Sequence, residues 1–289
     1  MAVTYQPIMV SSFVSEANRI SCMNNAEIWN HPISLDKARS LVSGSLGEAC
    51  KEILSGCCVP IFWQRLEQEQ CSIAHNGTLT IVRTPKKLIG VTAAHVIQQY
   101  EVDLKKGPLC LQLGNQVVND LKARLLAVST KLDIATFELD EELVQRLGKV
   151  PLGVWPPKPP QEGRGIMIAG FPGVEREESK NRDVIFGLVT ILGVARRVTD
   201  RQITWLMERE HIQEFSEISV PPVGYDFGGI SGGPLISWFE SEQFIAHYCF
   251  SGIVVQHPDY GKNTDVPIIE RLVCVRADAI SDSGMIAEW

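Results

Sequence analysis

The fold turns on one stretch, Gly77-Thr-Leu-Thr-Ile-Val-Arg-Thr-Pro-Lys-Lys-Leu-Ile-Gly-Val-Thr-Ala-Ala-His95. Its runs Gly77–Val82 and Leu88–Thr92 are rich in β-branched residues and of strand length. Between them Pro85-Lys-Lys supplies a turn, because proline donates no backbone hydrogen bond and ends a ladder. The pattern predicts two antiparallel strands, the second leading through small residues to a histidine.

Outward from this pair the same punctuation recurs. Val59–Trp63 precedes it, and Ala123–Val128 and Ile134–Leu139 follow it, all strand-like. Pro151 to Gly163 carries prolines at 151, 156, 157, 159 and 160, so it reads as a linker between two halves. Strands resume at Gly165–Ala169, Val184–Leu192, Gln202–Met207, Leu235–Phe239 and Phe244–Gln256, and Asp278–Glu288 is expected to close the chain as a short helix. Ahead of Val59 the period becomes helical. Ser34 precedes Leu35, Ala38, Leu41 and Val42, and Ser45-Leu-Gly-Glu48 forms a capping box before Ala49, Ile53 and Leu54. The expected organisation is a helical extension over 1–55, a first half over 56–150, a linker over 151–163 and a second half over 164–289. Many short strands with few helices between them predict antiparallel barrels rather than a parallel α/β sheet.

Composition narrows the function classes. The chain has 289 residues, 45% hydrophobic and 21% charged, enough for a core that needs neither disulfides nor metals and too apolar for a disordered chain. Lys and Arg number 27 against 34 Asp and Glu, a net charge of −7 that disfavours phosphate backbones and anionic membranes. No apolar run approaches the ~20 residues of a membrane span. The opening Met1-Ala-Val-Thr-Tyr-Gln-Pro7 lacks the basic and apolar regions of a signal peptide. The expected address is the cytoplasm, with neither nucleic acid nor membrane as partner. Cysteines at 22, 50, 57, 58, 71, 110, 249 and 274 then read as free, mostly buried thiols. No CxxC or Cys/His quartet has zinc spacing, and neither metal nor cofactor is expected.

Three segments carry chemistry. His95 ends its strand, Asp133 stands before the apolar run of Leu132-Asp-Ile-Ala135, and Ser231 sits among the glycines of Gly228-Gly-Ile-Ser-Gly-Gly-Pro234. A serine hydroxyl is a weak nucleophile at neutral pH, so an imidazole must take its proton as it attacks. A buried carboxylate such as Asp133 would fix the imidazole tautomer and stabilise its charged form. Backbone amides of Gly229 and Ser231 would hold the anion that develops on a substrate carbonyl, since glycine allows a turn that aims both inward.

Thr92-Ala-Ala-His95, Asp133-Ile-Ala135 and Gly229-Ile-Ser-Gly-Gly-Pro234 together resemble the catalytic motifs of trypsin/chymotrypsin-like serine peptidases. The resemblance covers roughly Val59 to Ile280 and implies two six-stranded β-barrels with the triad in the cleft between them. Gly170-Phe-Pro-Gly173 and Gly252-Ile-Val-Val-Gln256 also resemble strand ends of the family's second barrel. Two positions depart from secreted members: Ile230 stands where a zymogen-activating aspartate is found, and Val96 where a disulfide cysteine is frequent. With the leader absent, these departures make the chain similar to an intracellular, bacterial-type branch. The resemblance places Tyr225, with Asp226 beside it, at the base of the side-chain pocket, and Val254, Val255 and Gln256 on the strand along which a peptide lies. His257 is expected at the surface near Pro258.

Gly229-Ile-Ser-Gly-Gly233 also fits the G-x-S-x-G elbow of α/β-hydrolases, with Glu240 or Glu242 as acid and His247 or His257 as base. The short tail after Ser231 and the lack of helix–strand alternation before it argue against that fold. His31, His75, His211 and His247 read as surface or strand residues, and Arg176–Arg182 as a solvated loop. The expected activity is peptide-bond hydrolysis on a peptide or protein substrate. A catalytically latent domain that binds peptides or proteins is the alternative. A free protease would be hazardous in a cytoplasm. Control is therefore expected from a regulatory protein partner, from residues 1–55, or from the loop around Gly228–Ile230.

Overall fold

The computed structural model describes residues 45–65, 73–118, 120–178, 184–207, 221–240, 245–256 and 270–287. The helix expected after Ser34, together with His31, His211, His257, Cys22, Cys71 and the His247 side chain, lies outside the described residues.

Helix α1 (Ser45–Cys57) begins at the expected capping box and buries Leu54 and Cys57 in the first half. It runs directly into β1 (Cys58–Arg65), so this part of the extension is a strap on the first core. β2 (Ile73–Arg83) and β3 (Leu88–Ala93) pair antiparallel across the predicted turn, where Thr84 N–H and Lys87 form a ladder-ending hydrogen bond. Helix α2 (Ala94–Leu104) follows, then β4 (Leu109–Leu113), β5 (Gln116–Val117), β6 (Leu125–Ser129), β7 (Ile134–Glu138) and helix α3 (Glu141–Arg146). The first sheet has seven strands in the order β5-β4-β1-β2-β3-β7-β6.

The proline-rich segment touches both sheets. Leu152 is hydrogen-bonded to Ile81 and Arg83 of the first sheet, while Lys158 N–H donates to Phe250 O of the second. β8 (Gly165–Gly170) opens the second half. The run Val184–Leu192 is split into β10 (Val184–Phe186), which pairs with β9 (Arg176–Glu178), and β11 (Val189–Val194), which pairs with β8. Gly187 marks the break, its amide bonded to Glu175 O. β12 (Arg197–Val198), β13 (Gln202–Leu206), β14 (Pro234–Glu240), β15 (Ile245–Gln256) and β16 (Arg271–Arg276) complete a second seven-stranded sheet, ordered β11-β8-β14-β15-β16-β13-β12.

The architecture is thus an antiparallel, double-barrel-type β fold, with seven strands per sheet where six were expected. The additional strands are short edges: β5 and β12 have two residues each, a length that limits unwanted pairing at a sheet edge. Strand period explains why the second half's runs are nearly all apolar. Ile166 and Ile168 of β8 face the second core, while Met167 and Ala169 face the first. The same alternation places Leu235 and Val254 in one core and Ile236, Phe250 and Ile253 in the other. The second sheet is therefore buried on both faces along these strands, and the halves dock through apolar contact.

The chain end differs from expectation. The described part of the expected helix, 278–287, is not an α-helix; a single 3-10 turn over Ala277–Ala279 is followed by a tight turn at Ser281–Gly284. Serine hydroxyls compete for the backbone there, and Gly284 takes φ +82°. Its carbonyls serve the first half instead: Thr84 Oγ1 donates to Asp282 O and Thr136 Oγ1 to Gly284 O, both at 2.6 Å. The described cysteines 50, 57, 58, 110, 249 and 274 are all free. Burial pushes Cys50 and Cys249 up to about 11 and holds Cys57 and Cys274 well above the usual thiol range, so these four are packing groups with little thiolate. Among the described residues no helix is long and apolar enough to cross a membrane.

Candidate active site

β3 ends at Ala93 and the chain turns at once into α2, so the first amides of that helix need acceptors. Ala93, the capping residue, has no side chain to offer. Asp133 supplies them from the next segment. Its carbonyl accepts from Ala94 N–H at 3.0 Å, its Oδ1 accepts from His95 N–H at 2.8 Å, and its Oδ2 lies 2.6 Å from His95 Nδ1. One carboxylate therefore caps the helix and orients the imidazole. Its acceptor oxygen calls for a proton on Nδ1, which leaves Nε2 as the acceptor toward the cleft. Asp133 adopts φ +56°, a left-handed conformation rare outside glycine and concentrated at functional turns. The carboxylate was expected to be buried. Its side chain is instead 30% exposed, because the loop before β7 opens to solvent.

The glycine loop is fixed amide by amide. Gly228 N–H donates to Asp226 Oδ1, Ile230 N–H to Phe227 O, Gly232 N–H to Val254 O and Gly233 N–H to Ile230 O, at 2.7–3.0 Å. Gly229 and Ser231 are the two residues of this run whose amides donate to no acceptor among the described residues. Glycine is obligatory where φ is +101° at Gly229 and +92° at Gly232. Ile230 is fully buried in the second core, so the loop is anchored there by apolar burial and holds no ion pair at that position. Val96 likewise packs apolar, its methyl groups against the bare face of Gly77.

Ser231 is 2% exposed, and among the described residues its Oγ has no hydrogen-bond partner. The structure brings His95 and Asp133 into contact and leaves the link from His95 to Ser231 unmade. All the same, His95, Gly229 and Ser231 line one cleft of about 600 Å³. An orphaned buried hydroxyl costs on the order of 1–3 kcal/mol, which makes it a feature to be explained by function.

The side-chain pocket expectations fare unevenly. Tyr225 is outside the cleft lining: its hydroxyl donates to Glu175 Oε1 at 2.6 Å and its ring meets Phe227 edge-on at 4.8 Å. Burial, then that hydrogen bond, pushes its phenol far above the ordinary range. Asp226 does line the cleft, so the two neighbours take opposite roles. Val254 is fully buried, with its amide and carbonyl both bonded to the glycine loop, so it has no main-chain group left for a peptide. A register break leaves Val255 out of the β15–β16 ladder, with Gln256 exposed beside it.

Sequence reasoning missed several cleft residues. His75 was read as an ordinary histidine and Arg176 as part of a solvated loop, yet both line the cleft with Asn76, Trp63 and Gln99. Asn76-Gly77 is a turn signal, which hid the fact that both residues are interior to β2. Asn76 Nδ2 donates to Phe171 O at 2.8 Å and ties the two halves together beside Gly229.

No family model matches the chain. No curated protein matches it either. Among solved structures it is similar to a crystal structure of the Rv3671c protease from M. tuberculosis in its active form, with TM-score 0.43, 15% identity and 82% of each chain covered.

Proposed function

We propose that the protein is a serine endopeptidase in which His95, Asp133 and Ser231 hydrolyse peptide bonds. The observation that carries the reading is the pair of hydrogen bonds from Asp133 to His95, in a cleft that also holds Ser231 and the two unengaged amides. Ser231 Oγ would bond to the substrate carbonyl carbon as its proton passes to His95 Nε2. The amides of Gly229 and Ser231 would receive the oxyanion. Collapse breaks the C–N bond, His95 returns the proton to the leaving amine, and a water molecule activated by the same nitrogen then releases the acyl group. Asp133 keeps the imidazole in the right tautomer throughout and stabilises its charged form. The chemistry needs no metal or cofactor. Asp226 and the bulged strand segment at Val255–Gln256 are the groups offered to the acyl side of a peptide.

A second reading, a latent peptide-binding domain, is favoured by the unlinked Ser231 Oγ. Catalytic hydrogen bonds often tighten only when substrate binds, so the open link does not by itself decide between the two. A cytoplasmic address agrees with the buried, protonated thiols, and restraint by a protein partner or by residues 1–55 would suit an open link. Labelling by a fluorophosphonate, read by intact mass on wild type, Ser231→Ala and His95→Ala, separates the readings. The peptidase reading expects a single adduct on wild type and none on either variant. No adduct on wild type, with and without residues 1–55, would leave the binding domain.

A further inference from the structure

Every polar atom of Thr78 is engaged at the nucleophile loop or its support. Its N–H donates to Ser231 O at 2.8 Å, its Oγ1 donates to Gly229 O at 2.9 Å and accepts from Phe171 N–H at 3.0 Å, and its carbonyl accepts from Thr92 Oγ1 at 2.6 Å. The residue is fully buried and belongs to the first half, while all but Thr92 of these partners belong to the second.

The pattern has a stereochemical consequence. A trans peptide points its N–H and C=O in opposite directions. In the loop, Thr78 takes the carbonyls of Gly229 and Ser231, while the amides of the same two peptide units are taken by Phe227 O and Val254 O. Those planes are pinned at both ends. The alternate planes carry the unengaged Gly229 and Ser231 amides, and their carbonyls are held by Gly173 N–H at 2.7 Å and Gly233 N–H at 2.9 Å. The Gly228–Gly229 peptide is flanked by glycine bonds that by themselves offer little resistance to a flip, so its plane rests on two holds, Gly173 N–H at Gly228 O and Thr78 at the next carbonyl, Gly229 O. Ile230 brings burial but no charge to this loop, so its orientation must come from hydrogen bonds.

Resting on the peptidase reading above, we propose that the Thr78 hydroxyl is a positioning residue that, through Gly229 O, keeps the oxyanion-binding amides turned toward the cleft. It touches no substrate. It acts through Gly229, across the junction of the halves, so that anything that loosens their docking would disarm the oxyanion site before it disturbed the His95–Asp133 pair.

The test uses the full chain with Thr78→Val, which keeps shape and loses the hydroxyl, and Thr78→Ser, which keeps the hydroxyl. The rate constant of fluorophosphonate labelling should fall by about 10–100-fold in Thr78→Val, less than or comparable to losing an oxyanion donor outright. Thr78→Ser should stay within about threefold of wild type, since the donor is retained. On a peptide substrate the loss should fall on kcat with KM little changed, with kcat referred to the folded fraction seen by circular dichroism, because an unfolded fraction would by itself lower apparent kcat in the same way. Should the valine variant not fold, Thr78→Ala takes its place with the same expectation. Folded valine or alanine variants that label at the wild-type rate, or a serine variant as slow as they are, would overturn the proposal while leaving the peptidase standing. A wild-type chain that never labels would instead remove the peptidase reading, and this inference with it.

Discussion

The two sides of the cleft are built differently. On the base side, His95 is held by Asp133 of the same half, and the far end of its helix is held by Asp103, also of that half. Ser231, the proposed nucleophile, belongs to the second half, yet its loop is gripped from the first: Thr78 at Gly229 and Ser231, and Thr80 Oγ1 at Gly232 O, 2.8 Å. His95 is thus held by groups of its own half, whereas the loop of Ser231 is held by groups of both. Among the described residues the one orphaned buried side-chain polar atom, Ser231 Oγ, lies on the side that both halves build. That difference divides mutations into those that act on the base alone and those that act on docking.

The sharpest probe of the base side is Asp133→Asn. An amide can still accept from His95 N–H, so the cap survives, but its NH2 facing Nδ1 favours the wrong tautomer. On the proposed peptidase reading, kcat/KM should fall by about 10³–10⁴-fold with little change in thermal stability. A loss below tenfold would mean that something other than Asp133 orients the imidazole. The counterpart on the docking side is Gly232→Ala. A Cβ there would sit 1.9 Å from Thr78 O and 2.3 Å from Thr92 Oγ1, at a residue whose φ is +92°. Both obstacles belong to the first half, so the halves must separate. A loss of about 3 kcal/mol or more, or roughly 10 °C in Tm, is expected by calorimetry. Gly163→Ala is the control, since φ is +76° but nothing lies within 4 Å; strain alone should cost it about 1 kcal/mol. Equal shifts in the two variants would show that the loop is not keyed into the first half.

The same division governs what could be read in the sequence. The His95, Asp133 and Ser231 motifs were legible because their chemistry is concentrated in a few consecutive residues, and strands such as β3 and β14 because their apolar runs are bounded by proline and glycine. Helix α2 was not, since Ala94–Leu104 starts without a capping side chain; its cap is Asp133, distant in sequence. β9 and β12 were missed for a related reason: short, charged edge strands have little hydrophobic pattern and exist because a partner strand is already in place. Thr78 was read as one residue of a strand. Its role depends on which half of the molecule its hydroxyl meets, and no local periodicity records that.

Asp103 gives a smaller expected loss than Gly232→Ala and the cleanest pH signature. It is 2% exposed, accepts from Trp63 Nε1 and Gln99 Nε2 at 3.2 Å and from Lys106 Nζ at 2.8 Å, and lies 3.8 Å from Arg65 and 3.6 Å from His75. Burial alone would raise its pKa, but the hydrogen bonds from Lys106, Gln99 and Trp63 outweigh it and hold the carboxyl down to about 2, against 3.8 for a free aspartate. A folded value below the unfolded one means that the folded chain binds this proton less readily. The contribution is therefore complete above pH ~4 and is lost as pH falls toward ~2. By that shift, ionised Asp103 contributes about 2 kcal/mol at neutral pH. Asp103→Asn should lower neutral-pH stability by about that much or more, because Lys106 and Arg65 lose their counter-charge. Denaturant titrations of wild type should show a stability decline between pH 4 and 2, and the variant should lose part of it. Because Asp103 anchors the helix that carries His95 and touches nothing in the second half, the labelling rate of the folded variant should change less than in Thr78→Val. A larger fall in Asp103→Asn would mean that the base side is no more self-contained than the nucleophile side.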